Sequence, residues 1–375
     1  MSKIIVIGAG MVGSAIAIDL SKKHQVTLSD ISLDTLNYVK NKCEELAIAP
    51  ADVTNPSELQ KIIDPFDLVL CAVSGFLGFN TLKIIIEAGK NVIDISFFPE
   101  NSLELNQLAL EKNVTAIVDC GVAPGMDNII LGRYNEKLKL SHFECLVGGL
   151  PQIKKWPFCY KAPFSPIDVI EEYTRPARYV ENGNTIAREP LTDCEYINFD
   201  KVGTLESFNT DGLRSIIYTM PHIPNMKEKT LRYPGHIEYI KVLKESGFFS
   251  TKEVEINGIK ISPLDFTSKI LINEWKLAPS EKEFTIMRVS LKGENSEGKT
   301  EEVVYDLYDE FSEETQTSSM ARTTGYTAAA AANMLLEGLF TEKGVFPPEL
   351  IGKHEICFNY FMSYLAARNI HYVKK

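Results

Sequence analysis

A strand-like apolar run that leads directly into three spaced glycines constrains this chain more than any other feature. Ile4–Ile7 is followed by Gly8, Gly10 and Gly13 in the spacing G-x-G-x-x-G, and an apolar helical pattern begins at Met11. In dinucleotide-binding folds the first glycine permits a tight turn, the second lets the backbone approach a pyrophosphate, and the third lets helix and strand pack closely. The helix start then offers N–H groups to the phosphates. The predicted cofactor-binding positions of this loop are Gly8, Gly10, Met11, Val12 and Gly13.

An acidic residue follows at the distance typical of a ribose-binding carboxylate. The second predicted strand, Val26–Leu28, is followed by Asp30, about twenty residues beyond Gly10. We expect the Asp30 carboxylate to accept hydrogen bonds from both ribose hydroxyls. Its charge would repel a 2′-phosphate, so we predict NAD as the cofactor, with NADP as the poorer fit. Lys40 and Lys42 lie too far along the chain to be obvious partners of such a phosphate.

The composition is typical of a soluble enzyme that is large enough for two domains. The 375 residues are 45% hydrophobic and 24% charged, and the net charge of −11 disfavours nucleic acid or an anionic membrane as a partner. The seven cysteines are scattered without a C-x-x-C pair, and histidine and cysteine never fall at ligand spacing. We therefore predict reduced thiols and no metal site. No apolar run is long enough to span a bilayer and the chain begins with a strand, so we expect a cytoplasmic protein without a signal peptide.

The first part of the chain alternates strand and helix patterns. Its β-branched strands are apolar throughout, which is typical of strands buried on both faces of a parallel sheet. This alternation predicts an α/β fold with a Rossmann-like, doubly wound parallel sheet and a ligand site at the carboxyl ends of the strands. The predicted strands are Ile4–Ile7, Val26–Leu28, Leu68–Cys71, Val92–Ile95 and Thr115–Val118. The predicted helices are Met11–Lys22, Ser32–Cys43, Phe79–Ala88 and Ser102–Glu111.

Three further strand ends carry small or polar residues where the cofactor crevice should lie. Asp52, which is followed by Val53, would face the adenine amino group. Val73 and Ser74 follow the predicted strand Leu68–Cys71 and would let the backbone approach the cofactor. Asp94 lies at the end of the predicted strand Val92–Ile95. An ordinary turn or helix cap explains each of these positions equally well.

From about Leu140 the pattern changes to β-rich segments with many glycines and prolines. This change predicts a second, α+β domain with an open mixed or antiparallel sheet. The predicted strands are His142–Val147, Arg178–Val180, Leu205–Phe208, Ser215–Tyr218, Glu228–Arg232, Phe284–Leu291 and Glu302–Tyr308. The predicted helices are His236–Ser246 and Pro263–Leu277. The last two strands are long enough to pair across a subunit interface, so we expect a homodimer or a higher homo-oligomer.

The helical pattern returns after Gln316. Five consecutive alanines, Ala328–Ala332, predict a thin helix that packs closely against another element, and Gly338 is its stop signal. Such a helix suits packing on the nucleotide-binding domain, which would then be discontinuous. We therefore predict a dinucleotide-binding domain of residues 1–125 and 318–375, and a substrate-binding and oligomerisation domain of residues 126–317.

Several motifs resemble the saccharopine dehydrogenase-like family. They are the glycine motif, the junction Val118–Asn128 and the late segment Thr323–Tyr326 with its alanine helix. Within this family, Asn209–Arg214 and Thr230–His236 are most similar to the lysine 6-dehydrogenase branch. The resemblance covers nearly the whole chain.

The resemblance implies a nicotinamide-dependent oxidoreductase that acts on the CH–NH₂ group of an amino acid. The lysine 6-dehydrogenase branch implies oxidative deamination of the ε-amine of L-lysine with NAD, after which the aldehyde product cyclises. The alternative substrates are saccharopine and a carboxylated polyamine, as in carboxynorspermidine dehydrogenase-type enzymes, and both need a second carboxylate clamp. A different class of function, an NAD(H)-sensing regulator without turnover, also fits the nucleotide motif.

An amino acid substrate needs a partner for its carboxylate. The planar, bidentate guanidinium of arginine suits this task better than lysine. Arg214, at the end of a short turn in the second domain, is the first candidate, and Arg175 is a weaker alternative. Arg232 lies in the other family-like segment, where it could instead pair with a carboxylate structurally.

Amine oxidation also needs a group that takes up a proton, because an alkylammonium has a pKa of about 10.4. The predicted catalytic residues are Asp119, at the end of the predicted strand Thr115–Val118, and His236, at the start of a helix. Asp211 could hold the ε-ammonium before deprotonation. The corresponding structural explanations are a histidine with a local hydrogen bond and an aspartate that starts a turn.

Overall fold

The computed structural model describes residues 1–163, 166–278 and 281–375. The elements of the first part are β1 (Lys3–Ile7), α1 (Met11–Ser21), β2 (Gln25–Asp30), α2 (Leu33–Lys40), β3 (Ala47–Pro50), α3 (Pro56–Ile63), β4 (Leu68–Cys71), α4 (Gly75–Glu87), β5 (Asn91–Asp94), a 3₁₀ turn (Ser102–Leu105), α5 (Asn106–Glu111) and β6 (Thr115–Ile117).

The middle part carries most of the longer strands. Its elements are α6 (Met126–Asn135), β7 (Lys139–Pro151), α7 (Pro166–Thr174), β8 (Ala177–Glu181), β9 (Asn184–Arg188), β10 (Glu195–Phe199), β11 (Gly203–Asn209), α8 (Ile216–Thr219), β12 (Asn225–Arg232), α9 (His236–Glu245), β13 (Val254–Ile256), β14 (Ile259–Ile261), α10 (Pro263–Trp275), β15 (Glu283–Glu294) and β16 (Thr300–Glu310). The last elements are α11 (Ser319–Leu336), β17 (Gly344–Phe346), α12 (Pro348–Gly352), α13 (Glu355–Ala366) and β18 (Tyr372–Lys374).

Seven parallel strands form the first sheet, in the order β17-β6-β5-β4-β1-β2-β3. The chain runs outward from β1 in one direction through β2 and β3, and then crosses to β4 on the other side of β1. Ligands of such sheets bind beyond the carboxyl ends of the strands at this reversal. The predicted Rossmann-like, doubly wound sheet is confirmed.

The second sheet is mixed and has nine strands. Seven of them follow the order β10-β11-β12-β7-β15-β16-β18, while β8 pairs with β12 and β9 pairs with β8. Strands β12 and β7 are parallel, and the other pairs along this path are antiparallel. The two long strands β15 and β16 pair with each other, and β15 also pairs with β7. These edges are therefore used within the chain, and the homo-oligomer stays a prediction.

The C-terminal segment contributes to both sheets. Strand β17 extends the first sheet beside β6, and β18 pairs with β16 in the second. Between them, α11 buries Ala328–Ala332 completely and packs against α1. A Cβ atom on Gly325 would lie 3.3 Å from the Val12 carbonyl oxygen, so the two helix backbones approach closely. The predicted domain limits stay a prediction.

Some local predictions were wrong. Ser215–Tyr218, predicted as a strand, contains the start of the short helix α8. A run of β-branched residues favours a strand locally, but here Ile216 is buried in the core as part of a helical turn. Helices α3, α7, α12 and α13 were not predicted. Among the helices of the described residues, none combines the length and apolar character needed to cross a membrane.

Candidate active site

A cleft of about 990 Å³ extends from the glycine loop after β1 to the second sheet. Its first wall consists of the glycine loop, one face of α2, and the loops that follow β4 and β6. Its second wall consists of α7, part of α10, β12 and the turn before α8. The start of α11 joins the two walls. Such a continuous cleft can hold a dinucleotide and a substrate together.

The glycine loop has the close contacts that its sequence predicts. Gly8 has a φ of +101°, and a Cβ atom there would lie 2.3 Å from the Ala72 carbonyl oxygen. A Cβ atom on Gly13 would lie 1.9 Å from the Gly8 carbonyl oxygen, so only glycine allows α1 to pack on this turn. Around Gly10, by contrast, no heavy atom of the described residues other than its chain neighbours lies within 4 Å of a Cβ position. Gly10, together with the first turn of α1, leaves space for a phosphate beside the helix start.

Asp30 supports this loop through its side chain. One carboxylate oxygen accepts the Ala9 N–H and the other accepts the Ser32 N–H, each at 2.8 Å. Asp30 thus connects the glycine loop to the start of α2. Each oxygen retains a lone pair, so the ribose role stays a prediction.

The other predicted cofactor positions divide into two groups. Val73 and Ser74 line the cleft. Asp52 does not line it, because its Oδ1 accepts the backbone N–H and the hydroxyl of Thr54 in a turn; Val53 packs against an apolar core cluster of the first sheet.

Asp94 was wrongly predicted to contact the cofactor. Its side chain is completely buried and accepts the N–H and hydroxyl of Ser96. Burial raises the pKa of Asp94 to about 7. The residue fixes the turn after β5 and offers no surface to a ligand.

Two lysines at the end of α2 and just beyond it have different positions. The Lys40 ammonium donates to the carbonyl oxygens of Glu44 and Leu46, whereas Lys42 lines the cleft and lies 4.6 Å from the centre of the Tyr38 ring. Sequence distance had argued against Lys42 as a phosphate partner. The turn after α2 brings it to the cleft nevertheless.

Asp119 and Arg214 form a buried ion pair. The Arg214 Nε donates to Asp119 Oδ1 at 2.8 Å, and Arg214 Nη1 donates to the Phe98 carbonyl oxygen. Its guanidinium lies 4.7 Å from the centre of the Phe97 ring. Asp119 lines the cleft, as predicted, but Arg214 does not. The structure thus contradicts Arg214 as a carboxylate clamp, since its guanidinium is engaged elsewhere and buried.

Arg175, the weaker sequence candidate, lies in the cleft wall immediately after α7. It pairs with Glu171 through Nη2, and its side chain is 21% exposed. Among the described residues, no further hydrogen-bond acceptor occupies its remaining guanidinium N–H groups. Arg175 can therefore still receive a carboxylate.

Asp211 and Arg232 line the cleft but are held by structural partners. Asp211 accepts a bidentate pair of hydrogen bonds from Arg178, each 2.9 Å long. Arg232 is 2% exposed and donates to Glu172 at 2.6 Å and to the hydroxyls of Tyr160 and Tyr173. These contacts support a structural role for both residues in place of substrate binding.

His236 was wrongly predicted to be catalytic. It is 2% exposed, does not line the cleft, and lies among aromatic rings. Nδ1 donates to the Phe158 carbonyl oxygen, and Nε2 accepts from the Tyr173 hydroxyl, both at 2.9 Å. Burial and the nearby Arg232 lower the pKa of His236 to about 3, so the ring is a neutral structural link.

Most carboxylates of the cleft are paired with a cationic side chain. The pairs are Asp119 with Arg214, Asp211 with Arg178, Glu171 with Arg175, Glu172 with Arg232, and Glu281 with Lys155. Sequence reasoning did not identify these pairs. Four of them join distant segments, and only Glu171 and Arg175 are close in sequence, four residues apart.

Glu228 is a cleft residue that sequence reasoning missed. It lies on β12 between Lys227 and Lys229, and it is 4% exposed. Its ligating oxygen lies within 4.8 Å of those of Asp127 and of the Cys145 sulfur. Such a group can share a proton or hold a cation. The strand carries four charged residues, so no signal in the sequence singled out Glu228.

The chain is similar to known proteins in both sequence and structure. The family model described as the saccharopine dehydrogenase NADP binding domain matches residues 4–117, and the saccharopine dehydrogenase C-terminal domain matches residues 121–370. The carboxyaminopropylagmatine dehydrogenase of Synechocystis sp. is 24% identical over 93% of this chain and 92% of its own length. The mitochondrial alpha-aminoadipic semialdehyde synthase of Mus musculus is 23% identical over 92% of this chain, which spans 45% of that longer protein.

Structural similarity agrees with these matches. The apo saccharopine dehydrogenase (L-Glu forming) of Saccharomyces cerevisiae superposes with a TM-score of 0.80 at 19% identity. The superposition covers 100% of this chain and 99% of that one. It supports the fold described above.

Proposed function

The chain belongs to the saccharopine dehydrogenase family, and we propose that it oxidises the ε-amine of L-lysine with NAD. As a member of this family it is an amino acid dehydrogenase that uses a pyridine nucleotide and acts on a CH–NH₂ group. The choice of lysine and of NAD is the finer part of the proposal.

The observation that carries the choice of lysine is the pairing of the arginines around the cleft. Arg214 and Arg232 are engaged by Asp119 and Glu172, whereas Arg175 retains donors among the described residues. One available guanidinium suits a substrate with one carboxylate. Lysine has one carboxylate, while saccharopine has three.

The residues of the first wall fit a nicotinamide dinucleotide. Gly10 leaves space beside the first N–H groups of α1, and Val73 and Ser74 line the path toward the second wall. Asp30 carries a negative charge at the end of β2, which favours a free ribose hydroxyl over a phosphate. The bound nicotinamide supplies the acceptor for a hydride.

The second wall would bind and orient the amino acid. Arg175 would hold the α-carboxylate and so direct the ε-carbon toward the loop that follows β6. Asp119, which lines the cleft there, would balance the positive charge of the iminium that forms when hydride leaves. Water then adds to the iminium carbon, and ammonia departs.

A carboxylated polyamine is the second candidate substrate. Acidic side chains outnumber basic ones in the lining of the cleft, and this negative balance suits a substrate with additional cationic nitrogens. The likeness to carboxyaminopropylagmatine dehydrogenase over 92% of that protein supports the same substrate class. The regulator hypothesis has no such support, since the relatives named above are enzymes.

The test is a panel of L-lysine, saccharopine and a carboxylated polyamine, each offered with NAD and with NADP. Reduced cofactor is followed by its absorbance, and ammonia and glutamate are assayed as products. Ammonia release from lysine with NAD supports the proposal. Turnover confined to saccharopine with formation of glutamate contradicts it, and cofactor binding without turnover of any amine supports the regulator.

A further inference from the structure

One acidic side chain of the cleft has no task in the function proposed above. We propose that Glu228 is the catalytic residue that takes up the substrate ammonium proton, and that Asp127 is its positioning residue. This inference rests on the proposed amine oxidation and deepens it. It assigns the general base to a residue that neither the glycine motif nor the family-like segments indicated.

The backbone places Glu228 between the cleft and a buried polar group. Strands β12 and β7 are parallel, with Glu228 in register with Cys145, so both side chains leave the same face of the sheet. Asp127 comes from the first turn of α6, and ligating atoms of the three residues lie within 4.8 Å of one another. Glu228 lines the cleft, while Asp127 lies behind it and is completely buried.

The turn before α8 fixes the Glu228 carboxyl group. A Cβ atom on Gly212 would lie 1.9 Å from Glu228 Oε1 and 2.0 Å from its Cδ. The carboxyl group therefore occupies the space that any other residue at position 212 would fill. Gly212 also lines the cleft, so Glu228 is held at the cleft surface by direct contact with this backbone.

One oxygen of Glu228 is ready to accept a proton. Oε2 is buried and has no hydrogen-bond partner among the described residues. The paired cleft carboxylates described above, in contrast, each contact a cationic side chain. Burying an unpaired carboxylate is costly, so this position is best explained by a ligand that brings a proton or a positive charge.

The charges around Glu228 favour its neutral form in the free protein. Burial raises the pKa of Glu228 well above the ordinary value, and the negative charges around it raise it further. The titratable and charged groups that face it are Asp127, Cys145, Asp211, Glu172, Tyr179 and Arg214, of which Arg214 lowers the pKa. The raised pKa moves the ionisation of Glu228 above the usual carboxyl range, so the acidic limb of a reaction that needs its ionised form should lie at correspondingly higher pH.

The step itself is a simple proton transfer. One N–H bond of the substrate ammonium breaks, and an O–H bond forms on Glu228. The nitrogen keeps the electron pair, which forms the second carbon–nitrogen bond when the hydride departs to the nicotinamide. Since only ionised Glu228 can act in this way, kcat for oxidation should rise with pH through the pKa of this group.

The first test is Glu228→Gln, which retains shape and removes the proton acceptor. We expect kcat for amine oxidation to fall by about 10²- to 10⁴-fold, with loss of the acidic limb of its pH profile. The affinity for NADH, measured by fluorescence titration, should stay within about twofold, because Glu228 lies outside the glycine loop.

Two further variants keep the test independent of the folding of Glu228→Gln. Gly212→Ala displaces the carboxyl group without changing its charge, so kcat should fall while NADH binding persists. Asp127→Asn retains the acceptor for the Gly125 N–H. Because burial raises the pKa of Asp127 to about 7, the wild-type residue adds a negative charge beside Glu228 only from about neutral pH upward. In that range the variant should ease the ionisation of Glu228 and shift the acidic limb of the kcat profile to lower pH, a change that a purely structural role does not produce.

Three outcomes would overturn the inference. Glu228→Gln with wild-type kcat and an unchanged pH profile would remove its catalytic role while leaving the proposed function intact. A wild-type protein that binds NADH but oxidises no amine would overturn the proposed function and this inference together. One equivalent of bound metal that is lost in Glu228→Gln would assign the carboxylate to cation binding.

Discussion

The two walls of the cleft are built in different ways. The first wall, which we call the nucleotide wall, depends on the backbone, because Gly8 and Gly13 make contacts that leave no room for a side chain. The second wall, which we call the substrate wall, depends on side chains, since pairs such as Asp119–Arg214 and Asp211–Arg178 join segments far apart in sequence. A backbone site is specified by one short stretch of sequence, whereas a side-chain site is specified only by the complete fold.

The largest expected effect distinguishes two glycines of the nucleotide wall. Gly13→Ala places a Cβ atom 1.9 Å from the Gly8 carbonyl oxygen, so we expect a stability loss of about 1–3 kcal/mol or more, together with loss of NADH binding. Gly10→Ala meets no protein atom within 4 Å and should retain wild-type stability, yet lose roughly 100-fold in NADH affinity. Thermal unfolding and NADH titration measure both quantities. Equal thermal stability of the two variants would contradict the assigned difference.

The next effect tests the substrate wall. Arg175→Ala should raise the KM for the amino acid by roughly 10- to 100-fold with little change in NADH affinity, because a charge-assisted pair contributes about 1.5–3 kcal/mol. Arg175→Lys should recover only part of the loss, since lysine lacks the bidentate geometry. Arg188→Ala, which removes an ion pair with Glu181 outside the cleft, is the matched control.

Arg214→Ala should instead destabilise the fold, because it leaves Asp119 buried without its partner.

The same contrast explains what sequence could predict. The strand, glycine and helix pattern from Ile4 to Gly13 is contiguous, and its packing consequences were confirmed. From their motifs, Arg214 was predicted to bind the substrate carboxylate and His236 to be catalytic, but each is engaged in structural contacts: Arg214 with Asp119, and His236 with Tyr173. Sequence motifs do not show which arginine retains an available donor. Glu228 was missed because the contact with Gly212 that fixes it depends on two strands and a turn.

A smaller effect tests the cofactor choice. The Asp30 carboxylate accepts the Ala9 N–H, so Asp30→Ala would disturb the glycine loop for either cofactor. Asp30→Asn retains an acceptor and removes the charge, and it should lower the NAD over NADP preference by about tenfold in kcat/KM. Lys42→Ala is the matched control on the same side of the cleft and should leave NAD kinetics unchanged. A selective loss of NADP activity in Lys42→Ala would show that this lysine contacts a phosphate.

The smallest effect on binding concerns Asp94, a buried acid of the nucleotide wall. Because its side chain does not line the cleft, Asp94→Asn should change NADH affinity by less than about twofold. Stability should respond instead. Burial raises the folded-state pKa of Asp94 to about 7, above its ordinary value of 3.8, so the folded state binds a proton more tightly than the unfolded state. The stabilisation that this tighter proton binding gives the folded state is complete in acid and is lost as pH rises toward about 7.

Asparagine at position 94 does not titrate, so the free energy of unfolding of the variant should increase relative to that of the wild type as pH rises. We expect the difference in free energy of unfolding to change by on the order of 1–3 kcal/mol between about pH 4 and pH 7, and to stay constant above that. Urea unfolding across this range, with Asp52→Asn in an exposed turn as the control, measures it. A pH-independent difference would contradict the raised pKa, and a large loss of NADH affinity would return Asp94 to the cofactor site. The second result would extend the side-chain dependence of this wall beyond Asp30, whose carboxylate holds the glycine loop.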